Sequence, residues 1–374
     1  MGIQPLTMPK WGLSMTEGLV NAWLVGEGET VAKTQDLVEI ETTKINNVFE
    51  SPIAGTLRRH VAAEGETLPV GALLAVFAEE ANSDADIEAF VSDFQANFVP
   101  PEEDEAEADS GPQSIEVDGR RIVYHDRMPD REDGPPLVLL HGFGGDKDNW
   151  LFNIDALAVG RRVLALDLPG HGESAKDIAG GDLAALAGAV LAFLDALSIP
   201  RAHLAGHSLG GAVAIAAARA APERVASLSL IGAAGLGEGV NDGYLTGFIE
   251  AQRRKELKTV LQMLFNDPDL VGKDMVEGVS RFKRMDGADS ALRAIRDAVF
   301  PGGVVREDVA AALAAYDGPV LAIWGEADRI APPPSGGLSG KISVEIIPAA
   351  GHMPQLEASS RVNSLMDEFL TGTA

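Results

Sequence analysis

The sequence predicts two domains of different class: a small all-β sandwich or flattened barrel, then a doubly wound α/β sheet carrying a helical cap. Three observations predict this. First, Glu27-Gly28-Glu29-Thr30 recurs as Glu64-Gly65-Glu66-Thr67, an offset of 37 residues, and Leu37-Val38-Glu39-Ile40 lines up with Leu74-Ala75-Val76-Phe77. Second, from Ser114 onward short apolar runs alternate with helical stretches. Third, Gly206-His207-Ser208-Leu209-Gly210 is a G-x-S-x-G pattern lying between a strand and an alanine-rich helix.

A chain of 374 residues holds two or three domains with ample core. Its net charge of −26 argues against nucleic acid or anionic membranes as partners, since both select cationic surface. With no cysteine there is no disulfide framework and no thiolate metal site, so redox-active thiols must arrive on a cofactor. Neither a signal peptide nor a myristoylation pattern is legible, Leu6 standing where Ser or Thr is required. No run is apolar and long enough to span a bilayer, and a cytoplasmic location is expected.

Residues 1–78 read as short strands broken by Gly, Asn and Pro. Val38–Glu41 and Ile45–Glu50 flank Thr42-Thr43-Lys44, which puts Lys44 at a hairpin tip, where a modifying enzyme can reach it. Residues 79–113 form an acidic linker, with no Lys or Arg from Glu79 to Gly111 and with Pro100-Pro101 ahead of four acids. Self-repulsion and proline predict that its second half is extended and mobile. Its first half carries Ile87, Phe90, Val91, Phe94 and Phe98 on one face of an amphipathic helix at about 87–98. That face must bury itself, and is expected to dock on the chain's own large domain in preference to a partner subunit.

The large domain, residues 114–374, opens with a hairpin, Ile115–Val117 and Arg121–His125 around Asp118-Gly119. Pro135–Leu140, Val163–Asp167, His203–Ala205, Val225–Ile231, Val320–Trp324 and Ser343–Ile347 are the sheet strands, with helices at Asp182–Leu197 and Leu209–Ala221. Residues 235–318 interrupt the alternation and read as a helical cap, with helical spacing over Phe248–Phe265 and Ser290–Val299, above the sheet edge where α/β ligands bind.

The chemistry concentrates on three side chains. Gly206 and Gly210 let the chain turn sharply and raise the Ser208 hydroxyl as a nucleophile. Asp328 follows the strand Val320–Trp324, and His352 follows Ser343–Ile347. His352 takes the Ser208 proton while Asp328 fixes the imidazole tautomer. Glu326 is a rival acid whose place in the turn fits less well, and Asp167 reads as the anchor of its own turn. The backbone amides of Leu209 and of Phe143, in His141-Gly142-Phe143-Gly144-Gly145, are the expected oxyanion donors. His141 organises that loop; His207 is a neighbour of the nucleophile and His171 a turn residue. His60, His125 and His203 suggest only surface or edge positions. No His/Asp/Glu cluster has metal-ligand spacing.

Pro9-Lys10-Trp11-Gly12-Leu13-Ser14-Met15-Thr16-Glu17-Gly18, the Lys44 tip and Ser51-Pro52-Ile53-Ala54-Gly55 together resemble the lipoyl domains of 2-oxo-acid and acetoin dehydrogenase complexes, over residues 3–78. The resemblance implies lipoate attached covalently to Lys44. The tip departs from it: most lipoyl domains carry Asp-Lys-Ala where this chain has Thr43-Lys44-Ile45, and the Met-Lys-Met of biotin carriers is further away. Residues 114–374 resemble the α/β-hydrolase superfamily. The fusion of the two is similar to the E2 acetyltransferase subunits of acetoin dehydrogenase complexes. That implies an E1 using thiamine diphosphate, an E3 dihydrolipoamide dehydrogenase, coenzyme A as acceptor and transfer by way of acyl-Ser208. The His-x-x-x-Asp-Gly motif of the usual E2 acyltransferase domain is missing, so its core-forming trimer is not implied. Two other functions fit the same motifs: a thioesterase releasing free acid, and a lipoyl carrier with a non-catalytic scaffold.

Overall fold

A computed structural model describes residues 2–9, 11, 15–33, 35–42, 46–79, 81–100, 111–128, 134–178, 180–336, 338 and 342–373. The chain forms two compact units, 1–111 and 112–374. Lys44 and the acidic stretch 101–110 lie outside the described residues.

The small unit is two four-stranded sheets. One has the order β1 (Gln4–Thr7), β8 (Leu73–Phe77), β6 (Gly55–His60), β3 (Thr30–Val31); the other β5 (Asn46–Glu50), β4 (Asp36–Glu41), β2 (Glu17–Trp23), β7 (Thr67–Pro69). Alternation aims Val20, Val38, Ile40 and Leu57 into a shared core with Leu6, Leu37 and Leu74. The sequence repeat is a symmetry of hydrogen bonds. The Gly28 amide donates to Leu57 O and the Gly65 amide to Val20 O, both at 2.7 Å. Glu27 accepts from the amide of His60 at 2.7 Å, and Glu64 from that of Trp23 at 2.9 Å. The Trp23 and His60 rings, themselves 37 positions apart in the sequence, stack at 4.0 Å. Each repeat thus supplies what the other lacks, which is why neither half closes a sheet alone.

The amphipathic helix is α1, Asp84–Asn97, capped by Ser83 with Asp86 returning the bond. Its docking corrects the expectation drawn from sequence. Ile87, Phe90, Val91 and Phe94 pack on Leu73, Val76 and Ala78 of the small unit itself. Arg58–Asp84 at 3.0 Å and Arg59–Glu88 at 3.1 Å hold its first turns. The reason is on β8: all five residues of Leu73–Phe77 are buried, so its outer face needs a cover.

The large unit is an eight-stranded sheet of order β16 (Ser343–Ile347), β15 (Val320–Gly325), β14 (Val225–Ile231), β13 (Ala202–His207), β11 (Leu137–Leu140), β12 (Val163–Leu166), β10 (Arg120–Arg127), β9 (Gln113–Val117). It is parallel from β11 to β16, with the β9–β10 hairpin antiparallel at one edge. The strand order reverses between β11 and β13, and Leu140 pairs with Gly206 there. The loops leaving these two strands are therefore neighbours in the crevice where α/β sheets bind ligands. The remaining helices are α2 (Ile154–Leu157), α3 (Leu183–Ala196), α4 (Leu209–Ala220), α5 (Asp242–Glu250), α6 (Arg254–Leu261), α7 (Lys273–Lys283), α8 (Ala288–Val299), α9 (Val309–Ala314), α10 (Pro354–Glu357) and α11 (Ser359–Gly372). The stretch expected to be one helix over Phe248–Phe265 is broken at 251–253. Helix α9, inside the expected cap range, packs instead on α4. His203 and His125 are buried, not surface residues; His203 Nδ1 lies 2.7 Å from Ser227 Oγ and His125 Nε2 2.8 Å from Asp148. Among the described residues no helix is long and apolar enough to cross a membrane.

Candidate active site

Ser208 stands between β13 and α4 with φ +51°, a conformation L-residues seldom adopt. The neighbouring glycines make it attainable. A Cβ on Gly206 would collide with the carbonyl of Gly210, and one on Gly210 with the carbonyl of Leu140. The Ser208 amide donates to Ile231 O at 2.9 Å, and its carbonyl accepts from Ala234 at 3.0 Å. The side chain is thus held off both regular elements at the head of the sheet.

Asp328 and His352 meet as a buried pair, 6 % and 1 % exposed. Asp328 Oδ2 accepts from His352 Nδ1 at 2.8 Å, while Oδ1 accepts from the amides of Ile330 and Ala331 at 2.8 and 2.9 Å. Both carboxylate oxygens are satisfied, and the imidazole proton is fixed on Nδ1, leaving the lone pair on Nε2. Glu326 is exposed and takes no part.

The loop after β11 comes against the nucleophile: a Cβ on Gly142 would lie 3.2 Å from Ser208 Cβ. His141 braces this loop. Its Nδ1 donates to Gly142 O at 2.8 Å and its Nε2 accepts from the Leu168 amide at 2.9 Å. Burial holds its pKa down at about 4, so it is a neutral strut. The amides of Phe143 and Leu209 have no hydrogen-bond partner among the described residues, the latter at the first turn of α4. Asp167 anchors its turn, accepting from the amides of Lys147 and Glu173, both at 2.7 Å.

The cap roofs the loop with aromatic rings. Phe143 lies 6.0 Å from Phe248, 6.2 Å from Phe300 and 6.1 Å from His171, and Tyr244 donates to its carbonyl at 3.4 Å. Lys283 Nζ closes the end of α5, donating to the carbonyls of Phe248, Ile249 and Ala251.

Two residues tie the site together: His207, read from the sequence only as a neighbour of the nucleophile, and Glu357, which sequence reasoning passed over. His207 donates from Nε2 to the His352 carbonyl at 2.8 Å, and burial holds its pKa well below the ordinary value. Its other nitrogen has no partner among the described residues. Glu357 accepts from the amides of Gly351 and Asn266, both at 2.6 Å, so one carboxylate clasps the His352 loop to the cap segment; burial raises its pKa. The His352 amide in turn donates to Leu264 O at 2.7 Å. For Glu357 the only signal was a lone acid five residues after the histidine, at the end of α10. For His207 it was a ring adjacent to a buried serine.

Lys44 lies outside the described residues. The β4–β5 ladder is described as far as the pairing of Glu41 with Asn46.

Comparison with known proteins agrees on both units. Residues 4–77 match the family model of biotin-requiring enzymes, and residues 135–359 that of the alpha/beta hydrolase fold. The chain is 50% identical to the dihydrolipoyllysine-residue acetyltransferase component of the acetoin cleaving system of Pseudomonas putida, over 98% of each chain. It is 44% identical to the component of the same description from Cupriavidus necator, over 99% of this chain and 98% of the other. Among solved structures, a meta-cleavage product hydrolase from Pseudomonas fluorescens IP01 matches with TM-score 0.62 at 24% identity, covering 71% of this chain and 100% of the other, which speaks for the fold alone. The chain belongs to the family of dihydrolipoyllysine-residue acetyltransferase components of acetoin cleaving systems, a lipoyl domain joined to an α/β-hydrolase fold.

Proposed function

We propose that the large unit moves an acetyl group from a thioester to coenzyme A through acyl-Ser208, with Lys44 as the lipoyl attachment site. The observation carrying this reading is the buried Asp328–His352 pair, tied by the His207 bond to the His352 carbonyl to a serine held at positive φ. Lipoate on Lys44, when bound, supplies the thiol that brings the acyl group to the site. Ser208 Oγ attacks the thioester carbonyl, a C–O bond forming as the C–S bond breaks. His352 takes the serine proton and delivers it to the leaving sulfur. The amides of Phe143 and Leu209 receive the oxyanion. The thiol of coenzyme A then gives its proton to His352 and its sulfur attacks the acyl carbonyl. The new C–S bond forms as the ester C–O bond breaks, and His352 returns the proton to Ser208 Oγ. The aromatic roof over Phe143 limits water as a competing acceptor.

The same reading carries the finer partners, an E1 using thiamine diphosphate and an E3 dihydrolipoamide dehydrogenase, and a cytoplasmic setting. Its test supplies chemically acetylated dihydrolipoamide and follows acetyl-coenzyme A and free acetate together. Acetyl-coenzyme A as the main product is expected; acetate alone would promote the thioesterase. Intact mass from a lipoylating host should show the lipoyl increment in wild type and its loss in Lys44→Ala.

A further inference from the structure

One stretch of the cap reverses the charge of the chain. Between residues 251 and 284 lie eight of the 30 Lys and Arg but only five of the 56 acids. Elsewhere arginines are mostly paired, as Arg58, Arg127, Arg161, Arg219 and Arg224 are. In the cap, Lys258, Lys273, Arg281 and Arg284 are exposed and have no ion pair among the described residues.

Helix geometry gathers them. Lys273, Glu277, Arg281 and Arg284 recur at intervals of four, four and three along one face of α7 and its C-cap, and Arg254 and Lys258 share a face of α6. Arg254 pairs with Glu277 at 3.0 Å, which brings the two faces together. Lys283 on α7 reaches the carbonyl of Ala251 just before α6, so the helices run antiparallel. Five cations therefore gather about Glu277, with Asp274 at the margin of the α7 face. Such a surface repels itself unless an anion sits on it, and guanidinium groups match phosphate geometry.

The patch lies on the outer face of α7, whose inner face meets the site. Phe282, buried on that inner face, stacks on His171 at 6.4 Å, and His171 meets Phe143 at 6.1 Å. Two ring-to-ring steps thus separate the expected oxyanion loop from the inner face of α7, and the cations stand on the other side of the helix. His171 donates from Nδ1 to Pro169 O, which leaves Nε2 as a buried acceptor without a partner among the described residues.

We infer that the α6–α7 face, with Arg281 and Arg284 at its centre, binds the phosphates of coenzyme A while its pantetheine arm passes round α7 toward Ser208. This rests on coenzyme A being the acceptor, and names where its anionic end is held. Phosphate-free pantetheine offers the same thiol without the anchor.

The test uses the full chain, with free S-acetyl-dihydrolipoamide as donor so that the acidic small unit plays no part. Arg281→Gln/Arg284→Gln should raise KM for coenzyme A at least about tenfold, leave kcat unchanged, and leave transfer to pantetheine untouched. Equilibrium dialysis should show the same loss of coenzyme A affinity without turnover, and Arg281→Lys/Arg284→Lys should recover part of it. Unchanged KM and affinity in the Gln variant would overturn the site. So would an equal fall with pantetheine, or a loss seen only when the donor is carried on the small domain. Wild type releasing only acetate would sink the acetyltransferase reading instead, and dialysis would still decide the patch: wild type holding coenzyme A no better than pantetheine refutes it.

Discussion

In the small unit Gly28 and Gly65, Val20 and Leu57, and Glu27 and Glu64 perform paired duties, each bond answered by another 37 residues on. In the large unit Ser208, Asp328 and His352 each occupy one place with no counterpart, and reach it from loops up to 144 residues apart in the sequence. The contrast follows from the tasks. A carrier needs a rigid, closed body behind one exposed attachment point, and a repeat that closes on itself supplies that body. A reacting centre needs groups buried, oriented and unique, since removing one leaves nothing to replace it. Damage should therefore be shared and modest in the first unit, concentrated and large in the second.

The strongest break of that contrast is Ser208→Ala. Transfer to coenzyme A should fall about a millionfold, roughly 8 kcal/mol of transition-state stabilisation, while fold and lipoylation persist. His352→Ala should be comparable, and the double variant no worse than the worse single.

Asp328→Asn comes next, at about ten-thousandfold in kcat. The amide cannot accept from His352 Nδ1 and from the amides of Ile330 and Ala331 without turning its NH2 toward one of these donors. Steady-state kinetics with a near-native melting temperature would place the loss in orientation.

Glu357→Gln sharpens the comparison, because it touches no reacting atom. It should lose one of the two bonds joining Gly351 and Asn266, worth about 1–3 kcal/mol. A kcat lower by about tenfold to a hundredfold with KM for the donor little changed is expected; unchanged kcat would make the clasp merely structural.

The smallest effects belong to the repeat. Gly28→Ala and Gly65→Ala each place a Cβ in open space at φ +88° and +82°, so the cost is conformational alone, about 1–2 kcal/mol. The two should lower the melting temperature of the small unit by similar amounts. A large difference between them would show that the quasi-symmetry does not extend to energetics.

Much of this was legible in the sequence. Val225–Ile231 and Ser343–Ile347 are strands with the expected limits, the first an apolar run buried throughout. The nucleophile turn and the preference for Asp328 over Glu326 followed from spacing. Side chains bonded to distant backbone were not legible: His207 reaches His352 across 145 residues and Glu357 reaches Asn266 across 91, and such bonds leave no period. The docking of α1 was readable but misread. The uninterrupted run Leu73–Phe77 needed cover on both faces, and the adjacent apolar helix was the nearest means of supplying it.

The most direct test of covalent transfer omits the acceptor. Wild-type protein mixed with S-acetyl-dihydrolipoamide, quenched in acid and mapped by peptide mass, should carry an acetyl group on Ser208, and coenzyme A added before the quench should discharge it at the rate acetyl-coenzyme A appears. An unlabelled Ser208 in enzyme that forms acetyl-coenzyme A, or Ser208→Ala retaining near-full transfer, would contradict the mechanism.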